Sequence, residues 1–270
     1  MVEEYRPKTL AEHREYLYEI VKLQLFFVHL WLEKHPEEDF EQVMRRRVNI
    51  YRKTDANPES SSPRTLHLDE APWTDWVAAA REVYRRHADD RAAFEREAFE
   101  IFRPGIDRRC ERDYGERGTA GLYQCGCFLP GEAPEADGRL MFHIVNVVSP
   151  NSFLADPAYF KRCFRALLDI AERIFGVKEL TTRSWLNSYP RWLEYFPEEW
   201  RRNLSEPNRD IRWHAGFWGQ FVTARGTFHY RRAEELRRTG EFPYLPRGSF
   251  VSIAAMRKHL DTLPIPEEKR

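Results

Sequence analysis

The sequence of 270 residues has no long hydrophobic run. Its longest apolar stretch, LQLFFVHLWL at residues 23–32, contains a histidine and is about half of the roughly 20 residues that a membrane-spanning helix needs. The residues that follow Met1, VEEYRPKTLAEHREY, lack the basic start and apolar middle of a signal peptide. We therefore expect a cytoplasmic protein that is not inserted in a membrane.

Neither sign of charge is in excess, because 43 Lys and Arg residues balance 43 Asp and Glu residues. No global field is expected to attract nucleic acid or a membrane surface. Lysine is scarce, since it supplies only eight of the 43 basic residues. Arginine suits bidentate recognition of phosphate or carboxylate, but a GC-rich coding sequence produces the same bias, so the arginine excess alone indicates no binding role.

Cysteine is also sparse, with four residues that show no paired spacing of the kind found in disulfide frameworks or zinc sites. The single close pair is Cys125-Gly126-Cys127. These two cysteines are predicted to be buried, reduced thiols that act as small apolar side chains.

Several catalytic motifs are missing. The sequence has no G-x-S-x-G elbow, no G-x-G-x-x-G loop and no Walker loop, which argues against serine hydrolases and nucleotide-binding folds. His87, Glu95, Glu97 and Glu100 loosely suggest a carboxylate-bridged iron site, but a second Glu/His helix pair is missing, so these charges indicate a solvated helix face. We predict no metal site, and a metal-dependent oxygenase is kept as an alternative.

What the first part of the sequence does have is helical periodicity. Apolar side chains recur at helical spacing over residues 10–34, and this helix ends before Pro36, since the residue preceding proline avoids helical angles. The cluster DANPESSSPR at 55–64 predicts a loop. We predict a helical N-terminal region over residues 1–115, with further helices at 36–52, 73–102 and 106–114 and a stop between them at Pro104-Gly105.

The second part of the sequence, residues 116–270, alternates strand-like and helix-like segments. A loop rich in glycine, proline and acidic residues joins the first two strand-like runs and predicts a hairpin. We therefore predict an α+β protein whose second domain spans 116–270. Strands are predicted at 122–130, 139–149, 178–188 and 211–224, and helices at 157–175, 190–204, 231–240 and 249–260.

The segment IRWHAGFWGQFV at 211–222 shows an alternation typical of a strand. Its odd positions, including Trp213, are apolar and are expected to face a core. Its even positions are expected to line a ligand groove; they are Arg212, His214, Trp218 and Gln220.

Three short motifs carry a resemblance to a known family. FHIVN at 142–146, IFG at 174–176 and TTRSWLNS at 181–188 resemble the GNAT-like C-terminal domain of uncharacterised bacterial acyltransferase-like proteins, over roughly residues 118–262. The resemblance implies a helical N-terminal region packed on a GNAT-like mixed β-sheet with flanking helices. It also implies an acyltransferase that moves an acyl group to a small amine or hydroxyl acceptor.

The sequence departs from the better-known N-acetyltransferases at one point. Those enzymes bind the pyrophosphate of acetyl-CoA on a [QR]-x-x-G-x-[GA] loop at a helix N-terminus, whereas this chain has SPNSFLADP there. The acyl donor, which is a cosubstrate and not a permanently bound cofactor, is therefore acyl-CoA in another pose, a carrier protein or an aminoacyl-tRNA. A catalytically inactive ligand-binding or partner-binding module of the same fold is the main alternative.

Acyl transfer needs a base, donors for the oxyanion and a groove that positions both substrates. His143 and His214 are the candidate bases because imidazole titrates near neutral pH. The candidate substrate-binding residues are polar or aromatic side chains in predicted strands: Asn146, Ser184, Trp185, Asn187, Arg212, Trp218 and Gln220. The buried amides among them need partners, either one another in a core network or a ligand. The aromatic content also leaves room for a homodimer interface.

Overall fold

The computed structural model describes residues 8–58, 66–115 and 121–263. The chain divides into two compact units, one within residues 1–118 together with 210–243 and the other within 119–209 together with 244–270. We call them the helical unit and the sheet unit. Segment 210–243, which the sequence analysis placed in the second domain, belongs to the helical unit.

The described residues form an α+β structure with one mixed sheet. The strands are β1 (Phe128–Pro130), β2 (Leu140–Ile144), β3 (Glu179–Ser184) and β4 (Arg247–Ser252). The helices are α1 (Leu10–Lys34), α2 (Phe40–Arg46), α3 (Trp73–Arg86), α4 (Arg91–Asp113), α5 (Pro157–Arg173), α6 (Pro190–Leu193), α7 (Glu198–Arg202), α8 (Ala215–Trp218), α9 (Tyr230–Thr239) and α10 (Ile253–Thr262).

Helix α1 is the central helix of the helical unit. It begins with a capping box, in which the Thr9 hydroxyl accepts from the Glu12 N–H and the Glu12 carboxylate accepts from the Thr9 N–H, at 3.1 and 2.8 Å. All eight residues from Leu23 to Leu30 are buried. A helix that is buried all round lies inside a core, and α1 accordingly packs against α2 and along α4.

The sheet unit is built on strand order β1-β2-β3-β4. Strands β1 and β2 are antiparallel, β2 and β3 are parallel and β3 and β4 are antiparallel. Helix α5 makes the crossover between the parallel strands, as such a connection requires. One face of the sheet carries Phe142, Leu180 and Val251 in the core, against α5, α7 and α10.

Residues 211–224 do not form the predicted strand. Helix α8 and a 3-10 turn at Gly219–Phe221 occupy the middle of the segment. The buried side chains of Phe217, Trp218 and Phe221 have helical spacing. Because aromatic residues occupy both odd and even positions, the alternation in the sequence was ambiguous.

Two other predictions were wrong. The predicted helix at 249–260 begins later, because residues up to Ser252 form β4 and the Ser252 side chain then caps α10. The predicted stop at Pro104-Gly105 lies inside α4. Glycine is needed at 105 for a close approach between helices, since a Cβ there would lie 2.6 Å from the Trp76 ring.

Candidate functional site

The parallel strands β2 and β3 pair over only two positions. Their partners are Leu140 with Leu180 and Met141 with Thr181, whereas β3 and β4 pair over six positions. Residues 142–144 of β2 and 182–184 of β3 are therefore not paired with each other. In open α/β sheets ligands bind in a crevice outside the carboxyl ends of the strands, so we take this parting as the candidate functional site.

The β2 side of the candidate site carries His143 and Asn146. His143 is exposed, and its Cα lies opposite Leu129 of β1. The Asn146 side chain, just beyond the strand, donates to the Asn151 carbonyl at 2.8 Å. Val145 and Val147 are each 48% exposed, so the carboxyl end of β2 presents both apolar and polar side chains to solvent.

On the β3 side, Asn187 belongs to the core. It is fully buried; its Nδ2 donates to the carbonyls of Thr182 and Arg247 at 3.0 and 2.8 Å, and its Oδ1 accepts from Trp192 Nε1 at 2.9 Å. These partners occupy both N–H donors of the amide and one acceptor position of its oxygen, which is the arrangement that the core-network interpretation of Asn187 predicts.

Ser184 and Trp185 lie at the carboxyl end of β3 itself. The Ser184 hydroxyl accepts from the Leu186 N–H at 3.2 Å and so begins the 3-10 turn that follows. Trp185 is half-buried, with ring centroids 5.9 Å from Tyr189 and 6.0 Å from Tyr244. This aromatic patch forms a wall at the same edge of the sheet as the end of β2.

A group of thiols lies beside the N-terminal turn of α5. The Tyr159 hydroxyl is 3.6 Å from the Cys127 sulfur, and a Cβ on Gly126 would lie 2.4 Å from the Cys163 sulfur. Burial raises the pKa of Cys125 to about 11 and, with hydrogen bonds to the thiols, raises the pKa of Tyr159. All four cysteines are free and buried, as predicted for Cys125 and Cys127, and buried neutral thiols are poor nucleophiles.

Helix α5 begins at the candidate site, but its N-terminus is already capped by a carboxylate. Asp156 Oδ1 accepts from the Tyr159 N–H at 2.9 Å. A phosphate group bound at this helix end would compete with that cap and meet its negative charge. The local structure therefore agrees with the missing pyrophosphate loop.

The other predicted site residues, Arg212, His214, Trp218 and Gln220, belong to the helical unit. Trp218 is buried and donates from Nε1 to the Arg47 carbonyl at 2.9 Å, while buried Gln220 donates to the Phe217 carbonyl at 2.8 Å. The prediction that the four even positions line one strand face is wrong, because residues 215–221 form helical turns instead of a strand.

Arg212 and His214 are the more accessible pair of this segment. Arg212 is half-buried and forms an ion pair with Asp210. His214 Nδ1 accepts from the Gly216 N–H at 3.1 Å and caps α8. Loss of solvation, with Arg212 adding repulsion, lowers the pKa of His214, so its ring stays neutral to a lower pH than an ordinary histidine does.

The acidic residues that loosely suggested an iron site are held in ion pairs. Glu95 binds both guanidinium nitrogens of Arg237 at 2.6 and 2.7 Å. Glu97 contacts Arg86 and His87, and Glu100 contacts Arg103. Over residues 8–58, 66–115 and 121–263, no three His, Cys, Asp or Glu residues are arranged to hold a metal ion.

The helical unit also has a shallow pocket that the sequence analysis missed. Trp213, predicted to face a core, is half-exposed and lines this pocket with Arg52. The abundance of arginine was noted in the sequence, but nothing in a linear pattern links Arg52 to a ring so distant along the chain.

Comparison with family models, with curated proteins and with solved structures finds no match to this chain. Within the part of the chain that the structure describes, no helix combines the length and apolarity needed to cross a bilayer.

Proposed function

We propose that the protein is an acyltransferase that moves an acyl group from a thioester or other activated donor to a small amine or hydroxyl acceptor. The observation that carries the proposal is the parting of β2 from β3 after two residue pairs. Unpaired backbone edges accept extended ligands by strand-like pairing. The amide-containing arm of an acyl thioester is such a ligand, and its thioester would then lie near the carboxyl ends of both strands.

His143 is the base in this proposal, since it is exposed in the part of β2 that is paired with β1 but not with β3. The acceptor's nitrogen or oxygen attacks the acyl carbon, and the bond from that carbon to the donor's sulfur or oxygen breaks. His143 takes the acceptor's proton and passes it to the leaving group. Backbone N–H groups of the parted strands are the candidate oxyanion donors, and Trp185 is a candidate wall for the acceptor.

The capped N-terminus of α5 narrows the class of donor. Because the Asp156 carboxylate occupies the helix end, phosphates of a nucleotide-containing donor gain nothing there. This favours recognition of the acyl arm itself, as on a carrier protein, an aminoacyl-tRNA or CoA held in another pose. The same observation favours a second candidate function, a GNAT-like ligand-binding or partner-binding module that does no chemistry.

A thermal-shift panel tests the proposal, since a ligand selective for the folded protein raises the Tm by mass action. The panel contains acetyl-CoA, octanoyl-CoA, S-octanoyl-pantetheine, free CoA, iron and zinc. We expect octanoyl-CoA and S-octanoyl-pantetheine to raise the Tm equally, because the phosphates add no contact. A shift with iron or zinc alone would favour the metal-dependent oxygenase.

Three variants separate binding from chemistry. His143→Gln should retain the thioester-induced shift but lose acyl transfer to an amine panel. Val145→Trp should weaken the shift by crowding the carboxyl end of β2, whereas Ile174→Trp, which follows the C-terminal end of α5 and is 55% exposed in the wild type, is the matched control. A thioester shift with no transfer in the wild type would support the binding module instead.

A further inference from the structure

A shallow, open pocket in the helical unit contains about 260 Å³ of space not filled by protein atoms, a volume that includes open solvent. Apolar side chains make part of its wall, and donor groups make the rest. Its lining includes Val48, Asn49, Tyr51, Arg52, Leu68 and Trp213, and no Asp or Glu among the described residues lines it.

Arg52 is the only described lining residue that carries a charge without an ionic partner. Its guanidinium carbon lies 3.8 Å from the centroid of the Trp213 ring, a distance typical of a cation–π contact. The side chain is half-buried, and burial lowers its pKa. No described carboxylate or carbonyl accepts a hydrogen bond from it. The other lining arginine, Arg45, is paired with Asp69.

The helical unit contains a second stack of an arginine on a tryptophan, in which the arginine also has acidic hydrogen-bond partners. The Arg47 guanidinium lies 4.4 Å from the Trp31 ring centroid. It donates to Glu38 at 2.7 Å, to Asp210 and to the Ile211 carbonyl at 3.0 Å. Burial acts to lower the pKa of Arg47, but these acidic partners outweigh it and raise the pKa. Among the described residues, Arg52 has an aromatic partner and no acidic one.

Two further donor groups belong to residues that line the pocket. Asn49 accepts from Gln24 Nε2 at 2.7 Å, which commits its oxygen and leaves its Nδ2 without a described acceptor. The Tyr51 hydroxyl accepts from the His67 N–H at 3.2 Å, so its own hydrogen is available to donate. The polar lining residues therefore supply hydrogen-bond donors that suit an anionic ligand.

We propose that this pocket binds the carboxylate group of a small organic acid, with the carboxylate on Arg52 and an apolar body against Val48 and Leu68. One uncompensated guanidinium matches one carboxylate in charge, and its planar fork matches the two oxygens in geometry. A phosphate monoester carries more charge than this single cation balances. The site is independent of the sheet unit and of the acyl transfer proposed there.

Titration with hexanoate and benzoate, followed by the Tm at matched ionic strength, tests the site. We expect both acids to raise the Tm of the wild type more than inorganic phosphate or chloride does. Arg52→Gln should weaken binding about tenfold to hundredfold, the range for losing a charge-assisted hydrogen bond. Trp213→Leu should weaken it as well, since the guanidinium then loses the ring that orients it.

Arg46→Gln is the matched control, because Arg46 is an exposed arginine of the same segment whose side chain does not line the pocket. It should bind both acids as the wild type does. Equal weakening in Arg46→Gln and Arg52→Gln would show general attraction to positive charge and would overturn the proposal. So would the absence of any shift with either acid.

A second measurement needs no variant and so remains informative if a substitution impairs folding. Phenylglyoxal modifies accessible arginines, and mass spectrometry reports the extent at each position. Hexanoate should protect Arg52 in the wild-type protein while leaving Arg46 modified. Unchanged modification of Arg52 at saturating hexanoate would exclude the site.

Discussion

Two arginines of the helical unit stack on tryptophan rings, and they differ in burial and in the number of their acidic partners. Arg47 on Trp31 is buried and has two acidic partners, while Arg52 on Trp213 is half-buried and has none among the described residues. The stack is common to both, so it does not distinguish a structural arginine from a binding one. The two are distinguished by the number of acidic partners that the described protein supplies.

The sheet unit repeats this contrast with other side chains. Asn187 has all its hydrogen bonds inside the protein, whereas none of the hydrogen bonds among the described residues involves the His143 side chain. Both were candidates for the same site in the sequence analysis. A polar residue that the fold has already satisfied contributes to stability, and one that the fold leaves open is available for a ligand.

The largest expected effect separates the two arginines. Arg47→Ala removes a buried cation, takes away an ionic partner of Glu38 and one of the ionic partners of Asp210, and exposes the Trp31 face. We expect the free energy of unfolding to fall by about 3 kcal/mol. Arg52→Ala breaks no hydrogen bond or ion pair among the described residues and loses only the stack on Trp213, so its effect should stay within about 1 kcal/mol. Urea denaturation of the two variants measures both values.

A similar loss in both variants would contradict this comparison. It would mean that Arg52 has a structural partner, and the pocket would then lose its open cation. Arg47→Lys refines the result, because it keeps the charge but cannot reproduce the planar fork, and a partial loss is expected.

A smaller effect is expected from the corresponding pair in the sheet unit. Asn187→Ala removes the acceptor of Trp192 Nε1 and one donor from each of the Thr182 and Arg247 carbonyls in a buried environment, which should cost about 2 kcal/mol. His143→Ala changes an exposed side chain and should cost less than about 0.5 kcal/mol. Thermal unfolding of each variant, with circular dichroism to confirm folding, checks the difference. Equal destabilisation would show that His143 is also structural.

The parts of the fold that sequence could predict are those whose signal is local. Helix α1 has the predicted bounds because its cap and its apolar spacing both lie within the segment itself. Helix α5 is similar, with Asp156 before its first turn and a single apolar stripe. In such segments, the cap and the periodicity indicate the same element.

The parts that sequence could not predict depend on distant contacts. Residues 211–224 alternate like a strand, but the indole of Trp218 finds its acceptor at Arg47 and the segment packs as short helical turns. Strand β4 was missed because RGSFVS has little apolar character, and it is a strand through its pairing with β3. Tertiary contacts decided both segments.

For the candidate site, too, the sequence predicts what local patterns indicate and misses what depends on tertiary contacts. His143 and Asn146 follow from polar residues at the end of a strand-like run, and Trp185 follows in the same way from the next parallel strand. Asn187 has the same sequence signature, and only its contacts reveal a core role. Arg52 had no sequence signal, because the absence of an ionic partner is a property of the folded chain.

The smallest expected effect concerns a histidine that the fold leaves unpaired inside the helical unit. Both ring nitrogens of His13 are inaccessible and have no partner among the described residues. Loss of solvation, with repulsion from Lys8, lowers the pKa of His13 from 6.5 to about 4. The unfolded chain therefore binds this proton at a higher pH than the folded chain does, and stability present above about pH 6.5 is lost as the pH falls towards 4.

Because His13 is only partly buried, solvent screening reduces its contribution to about 1 kcal/mol over that interval. His13→Leu removes the titrating group, so its free energy of unfolding should fall less than that of the wild type between pH 7 and pH 4.5, as measured by urea denaturation at each pH. His143→Gln, at an exposed ring, is the control and should follow the wild type. If His13→Leu and the wild type lost stability in parallel, the His13 ring would have to be solvated or paired in the folded protein. The environments of His13 and His143 would then have the same effect on stability, unlike those of Arg47 and Arg52.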